Sequence, residues 1–185
     1  MTIEDKILKT SLELFSKYGY SGVTTKKIAT ESGVNEVTIF RKFESKSKLF
    51  QEVITNFSVE GNIINKLKND LTGIIEKDLL IFAVDFYNFL LNNQLFYKLQ
   101  IKQIDEESAK FTNSLKYKNY FRDYLTEKKE KGEFTGNPEI VAVSIISIVM
   151  GIFTFKIFNK EILENLNVKD ILEEEVEKII KMYVA

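Results

Sequence analysis

The sequence predicts an all-helical protein of about nine helices, and three observations carry that prediction. The 185 residues contain one proline and eight glycines, so the chain has few places to break. Apolar residues recur at intervals of three and four, the spacing that collects them on one side of a helix. Hydrophobic residues make up 44% and charged residues 29%, which suits a real core under a solvated surface. This length holds one ordinary domain or two small ones sharing an interface. The patterns divide the chain into a head over residues 1–57 and a second helical region over residues 58–185.

The first helix carries Ile3, Ile7, Leu8, Leu12, Phe15 and Tyr18 on one stripe with charges between them. That is an amphipathic helix and not a targeting segment. Thr2 followed by Asp5 resembles a capping box. The stretch Thr24 to Phe50 then reads as two short helices and the start of a third. Thr25 is the expected N-cap of a helix over Lys26 to Ser32, with Ile28 and Ala29 inward. Gly33 can adopt the left-handed φ that closes such a helix, and Asn35 caps the next one, Glu36 to Lys42. Two helices joined this tightly cross steeply. They form a helix-turn-helix, whose second member can enter a DNA major groove.

Within that second helix, Val37, Ile39 and Phe43 are expected to seat it on the head, leaving Thr38, Arg41 and Lys42 free. The planar fork of Arg41 matches a guanine edge, and Thr38 can meet a thymine methyl or a phosphate. Ser45 is expected to cap the following helix, with Lys46 and Lys48 in its first turn. Cations at the positive pole of a helix make sense where that pole faces an anion. A single lysine there would be a solvated turn; the cluster beside a helix-turn-helix points to phosphate.

Ile7, Leu8, Leu12, Phe15, the Tyr18-Gly19-Tyr20 exit, Thr24-Thr25, Ile28-Ala29, Gly33-Val34, Thr38-Ile39-Phe40, Phe43, Lys46 and Leu49-Phe50 follow a known order and spacing. In them the chain resembles the tetracycline-repressor (TetR) family of bacterial transcription regulators. The resemblance implies a cytoplasmic homodimer on double-stranded DNA with a palindromic operator, most simply a repressor released by a small-molecule effector. The residues it puts on the DNA are Thr25, Lys26, Lys27, Asn35, Glu36, Thr38, Phe40, Arg41, Lys42 and Lys46. Three positions depart from the family pattern. Phe40 stands where tyrosine is usual, Val37 where glycine is frequent, and Lys42 where histidine or another aromatic is frequent. Each bears on which operator is read.

The fourth helix has Leu49, Phe50, Val53, Ile54 and Phe57 on one stripe. Between residues 58 and 78 the pattern weakens and sets no boundary. Asp78 to Asn92 is apolar on nearly every side and is the expected centre of a second core. Its polar residues Asp85, Asn88 and Asn92 share a face, which is a solvent stripe or an edge reaching into a pocket. A short helix over Gln94 to Gln103 and a long one over Asp105 to Lys131 follow, the latter ended by Gly132. Aromatic residues on a helix are more often core than ligand contacts. In a family built around an effector cavity, the candidates are Phe82, Asp85, Phe86, Phe89, Phe111, Tyr117, Tyr120, Phe121 and Tyr124, and the molecule they suit is apolar or aromatic.

Pro138 suits the first turn of a helix. From Ile140 to Phe155 no residue is charged, a run short of the roughly 18 that suggest a membrane span. Ser144, Ser147, Gly151 and Thr154 form a ridge of small side chains on it. The last helix, Val168 to Val184, offers Ile171, Leu172, Val176, Ile179, Ile180 and Tyr183. Two such apolar helices exceed what one small bundle buries, and pairing with a second copy would cover them. Ser144, Ser147, Ile148, Gly151, Phe155, Leu172, Val176, Ile179 and Tyr183 are the expected interface.

The chain has no cysteine and no histidine, which removes disulfides, thiolate metal sites and His-dependent catalysis. No enzyme activity, cofactor or metal is expected. The net charge of -1 is poor for DNA binding, but residues 1–57 hold nine Lys or Arg against seven Asp or Glu. The remainder holds seventeen against twenty. Two other readings use the same residues: a helical carrier of an apolar molecule, and a helix-turn-helix that binds a protein partner.

Overall fold

The computed structural model describes residues 2–57, 62–102 and 112–184. Ten α-helices lie among them: α1 (Ile3–Tyr18), α2 (Thr25–Ser32), α3 (Glu36–Phe43), α4 (Lys46–Phe57), α5 (Asn62–Asp70), α6 (Ile75–Asn92), α7 (Gln94–Lys102), α8 (Thr112–Glu130), α9 (Pro138–Phe158) and α10 (Val168–Tyr183). A 3-10 turn, Lys160–Leu163, joins the last two. The described residues form no strand, only an isolated antiparallel bridge between Phe134 and Val184. The all-helical expectation holds. The additional helix is α5, in the region where apolar spacing was weakest. Helix α6 begins at Ile75 and not at Asp78, because the turn before it ends at Gly73, whose φ is +82°. Gln103 and the opening of the predicted long helix, residues 105–111, lie outside the described residues.

The chain divides into two compact units. The first holds α1 to α4 together with α7, an element the sequence pattern grouped with the second region. Its core takes Ile7, Leu8, Leu12 and Phe15 from α1, Ile28 and Ala29 from α2, and Ile39 and Phe43 from α3. Leu49, Phe50 and Val53 of α4 and Phe96 and Leu99 of α7 complete it. The Phe15 and Phe50 rings meet edge to face at 5.2 Å, and Tyr20 closes on Phe50 at 5.0 Å. Each fully buried side chain of this size contributes about 1.5–3 kcal/mol. The head is therefore a core in its own right.

The second unit holds α5, α6 and α8 to α10. Helix α9 runs against α6, α8 and α10, with Val141, Ala142, Ile145, Val149 and Phe153 facing them. At its start Asn137 accepts from the backbone N–H groups of Glu139 and Ile140, and Pro138 occupies the first turn as expected. The helix runs beyond the charge-free stretch to 21 residues and is, by length and composition, able to cross a membrane. Core helices pass the same test, and the packing of α9 on three neighbours makes it one. Leu172 and Val176, four residues apart on α10, face Ala83 and Val149 so closely that a void of only ≈ 10 Å³ remains.

Candidate nucleic-acid interface

The helix-turn-helix is built from local signals. Thr24, and not Thr25, is the N-cap of α2, with extended φ and ψ of -103° and 153° and a hydroxyl accepting from the Lys27 N–H at 3.1 Å. Thr25 is the first helical residue, and its hydroxyl donates to Glu36 Oε1 at 2.6 Å, tying the start of α2 to the start of α3. Gly33 sits at φ 65°, ψ 36°. Its N–H reaches the Thr30 carbonyl and the Val34 N–H reaches Ala29, the bond pair of a Schellman turn. Asn35 then accepts from the Val37 N–H at 3.0 Å, as expected of the α3 cap.

Ile39 and Phe43, one turn apart, are the buried side of α3. Val37 does not join them: it is 70% exposed. At 100° per residue, position 37 lies about 200° from Ile39, so an eight-residue helix seated on 39 and 43 must turn it outward. Phe40, 46% exposed, shares the outer side with Arg41 and Lys42. Arg41 has no hydrogen-bond or ion-pair partner among the described residues. Lys42 instead meets Glu4 of α1 at 3.1 Å, beside a polar cleft of about 440 Å³ lined also by Glu44, Lys48, Gln51 and Glu52.

Between α3 and α4 the chain turns on Glu44, the one non-glycine residue with positive φ among those described, at φ 63° and ψ -41°. The Ser45 N–H donates to Phe43 O at 2.6 Å across it, which makes a γ-turn of the strained, positive-φ kind. The Ser45 hydroxyl accepts from the Lys48 N–H at 3.1 Å, the expected cap of α4. Lys46 is half-buried, with its ammonium 4.1 Å from the centre of the Tyr20 ring, and desolvation pushes it below the usual lysine range. The Lys27 ammonium lies 3.7 Å from the centre of the Tyr18 ring. Lys26 is exposed. The sequence reading missed Glu4, Tyr18, Tyr20, Thr24 and Glu44 as parts of this surface. The Tyr-Gly-Tyr run was its one visible signal.

In the second unit, Phe82, Phe86, Tyr117 and Phe121 are buried together, with Phe89, Tyr120 and Tyr124 at their edge. Phe82 stacks on Phe121 at 4.1 Å and Phe86 on Tyr117 at 4.7 Å. The Tyr117 hydroxyl donates to the Phe82 carbonyl at 2.8 Å, and burial, then the Asp85 charge, hold its phenol far above the usual tyrosine range. Asp85 is buried beside them, while Asn88 and Asn92 are exposed, so the three polar residues are not one solvent stripe. Phe111 lies outside the described residues. Among the expected interface residues, Ser144, Ser147 and Phe155 are exposed and Ile148, Gly151, Ile179 and Tyr183 half-buried. Leu172 and Val176 are covered by their own chain, because they form the side of α10 that packs on α6 and α9.

Residues 7–53 match the family model described as bacterial regulatory proteins, tetR family. The chain is 30% identical over 162 residues to YvkB of Bacillus subtilis (strain 168), described as an uncharacterized HTH-type transcriptional regulator, covering 82% of each. Its fold matches a transcriptional regulator from Saccharomonospora viridis solved in complex with choline, with a TM-score of 0.72 at 16% identity over 98% of this chain and 97% of that one. It also matches the TetR-family regulator PfmR from Thermus thermophilus, with a TM-score of 0.70 at 18% identity over 97% and 96%. With its helix-turn-helix built from the matched residues, the chain belongs to the TetR family and is a DNA-binding transcriptional regulator.

Proposed function

We propose that the chain is a repressor that grips a palindromic operator as a two-fold dimer and leaves it when an apolar or aromatic effector binds. Residues 1–57 act as the DNA-binding head and residues 58–185 carry the effector and the dimer contact. The observation that carries the reading is the outer side of α3, where Arg41 stands without a partner among the described residues, on the same exposed helix as Val37, Phe40 and Lys42. Arg41 and Thr38 read base edges; Phe40 packs beside them. Lys26, Lys27, Lys42 and Lys46 take phosphates, and the Asn35-capped amides of α3 add a positive pole. Thr25 and Glu36 act through their mutual hydrogen bond, which sets α3 on α2.

The exposed side of α9, with Ile140, Val143 and Phe155 around the small Ser144 and Ser147, supports pairing with a second copy. The aromatic cluster of α6 and α8 supports the effector, which must part rings now stacked on one another. Such a ligand acts only by preferring the conformation that does not fit DNA. The test is titration of duplex DNA from the protein's own promoter region at two salt concentrations, against a scrambled duplex, with the R41A/K46A variant beside it. Selective binding that collapses in the variant is the expected result, with the salt slope lower by about one per lost phosphate contact. Equal, weak binding to both duplexes would overturn the reading.

A further inference from the structure

The turn after α1 brings two tyrosines over two lysines that the sequence separates widely. Gly19 takes φ +74°, and at Gly22 an added Cβ would lie 2.4 Å from the Tyr18 carbonyl oxygen. Only a chain without a side chain at 22 can fold back so tightly. The fold-back lays the first turn of α2 beside Tyr18. Tyr18 is 43% exposed, yet its ring is not idle: the Lys27 ammonium sits 3.7 Å from its centre and that of Lys17 5.1 Å away. Tyr20 repeats the arrangement from within the core, edge-on to Phe50 and 4.1 Å from the Lys46 ammonium.

We propose that Tyr18 is a positioning residue for DNA binding, holding the Lys27 ammonium where it meets a backbone phosphate. The inference rests on the interface reading above, in which Lys27 is a phosphate contact. A free lysine side chain samples many rotamers, and fixing it at the moment of binding costs conformational entropy. An aromatic face meets that cost beforehand, since its quadrupole attracts the cation. Stacking uses one side of the ammonium. Its other N–H groups remain free for an anion. Tyr20 does the same for Lys46 more rigidly, because its own ring is packed between Phe15 and Phe50.

The experiment is a double-mutant cycle on operator affinity with the full chain: wild type, Y18L, K27A, Y18L/K27A, and Y18F as the variant that keeps the ring. Melting of each variant is recorded, and exposed Tyr18 can be replaced without opening the core. Y18L is expected to weaken binding about two- to fivefold per head, the size of an exposed cation–π contact. Y18F should bind as wild type, and Y18L should add nothing once Lys27 is alanine. Unchanged or tighter binding by Y18L overturns the proposal, and so does a Y18L effect that persists in the K27A background, since the ring would then serve Lys17 or the fold. If K27A itself leaves affinity and salt slope unchanged, Lys27 is no phosphate contact, and the proposal falls with that assignment. If wild type and all variants bind a scrambled duplex as well as the operator, the wider DNA reading has failed.

Discussion

Asp78 shows how much one buried side chain organises. It is fully buried at the start of α6, and its carboxylate accepts from the Thr72 N–H, the Thr72 hydroxyl, the Gly73 N–H and the Tyr124 hydroxyl, at 2.7, 2.8, 2.9 and 2.6 Å. Lys128 completes the knot, donating to the Gly73 carbonyl and to Glu133. Asp78→Ala leaves those donors unmet and should lower unfolding stability by roughly 2–4 kcal/mol in a urea titration. Tyr124 is the partner that titrates. Burial, then its hydrogen bond to Asp78, raise its phenol far above the usual range. The folded chain therefore keeps a proton that the unfolded chain releases near its ordinary value of about 10. The stability this provides is present below about pH 10 and is lost as pH rises through the folded value. Tyr124→Phe should reduce stability by about 1–2 kcal/mol at neutral pH and flatten its alkaline decline, read as the urea midpoint against pH. None of this was visible in the sequence, where Asp78 looked like an ordinary helix-opening residue.

Among the elements, the sharpest contrast lies between α3 and its two ends. Its N-terminus rests on Asn35, a residue suited to its task, and the sequence announced it. Its C-terminus rests on Glu44, which is not suited, since a positive-φ γ-turn strains any residue with a Cβ. Glu44→Gly should raise the stability of the chain by about 1 kcal/mol in a thermal melt. The Glu44 to Lys48 ion pair it removes is exposed on both sides and contributes little. A lower melting temperature would mean that the pair outweighs the strain. The turn also explains how α4 can begin at Lys46 so soon after α3 ends at Phe43. A glycine was expected there by no sequence rule, and the strain became evident only from the backbone.

For the whole molecule, the proposed dimer concentrates on α9. That helix has one side on α6, α8 and α10 and leaves Ile140, Val143, Phe155 and Phe158 exposed on others. Phe155→Glu should weaken self-association about thirtyfold or more, the scale of an anchor residue lost from an interface centre, with folding intact by circular dichroism. Sedimentation at graded concentrations measures it. Operator affinity should fall in step, since a dimer places two recognition helices in successive grooves. A variant that stays dimeric would move the interface off this face.

What the sequence alone determined is the part governed by short-range rules. The helix-turn-helix was legible because Asn35, Gly33, Ser45 and the Ile39 and Phe43 pair act within one or two turns of themselves. Pro138 in the first turn of α9 and the Thr2 and Asp5 box were legible for the same reason, whereas the Asn137 cap came from the structure. What only the tertiary structure decided is which side of each helix faces which neighbour. Period alone marked Leu172 and Val176 as apolar, but the approach of α6 and α9 made them core rather than dimer surface. It marked Val37 as apolar too, yet two turns of helix cannot bury residues 37 and 39 together. Helix α7 joins the head through Phe96 and Leu99, far along the chain from α1. The rings of Tyr18 and Tyr20 meet lysines across a turn whose geometry depends on Gly22. Contacts between distant segments depend on how surfaces fit, and the linear pattern carries periodicity but not fit.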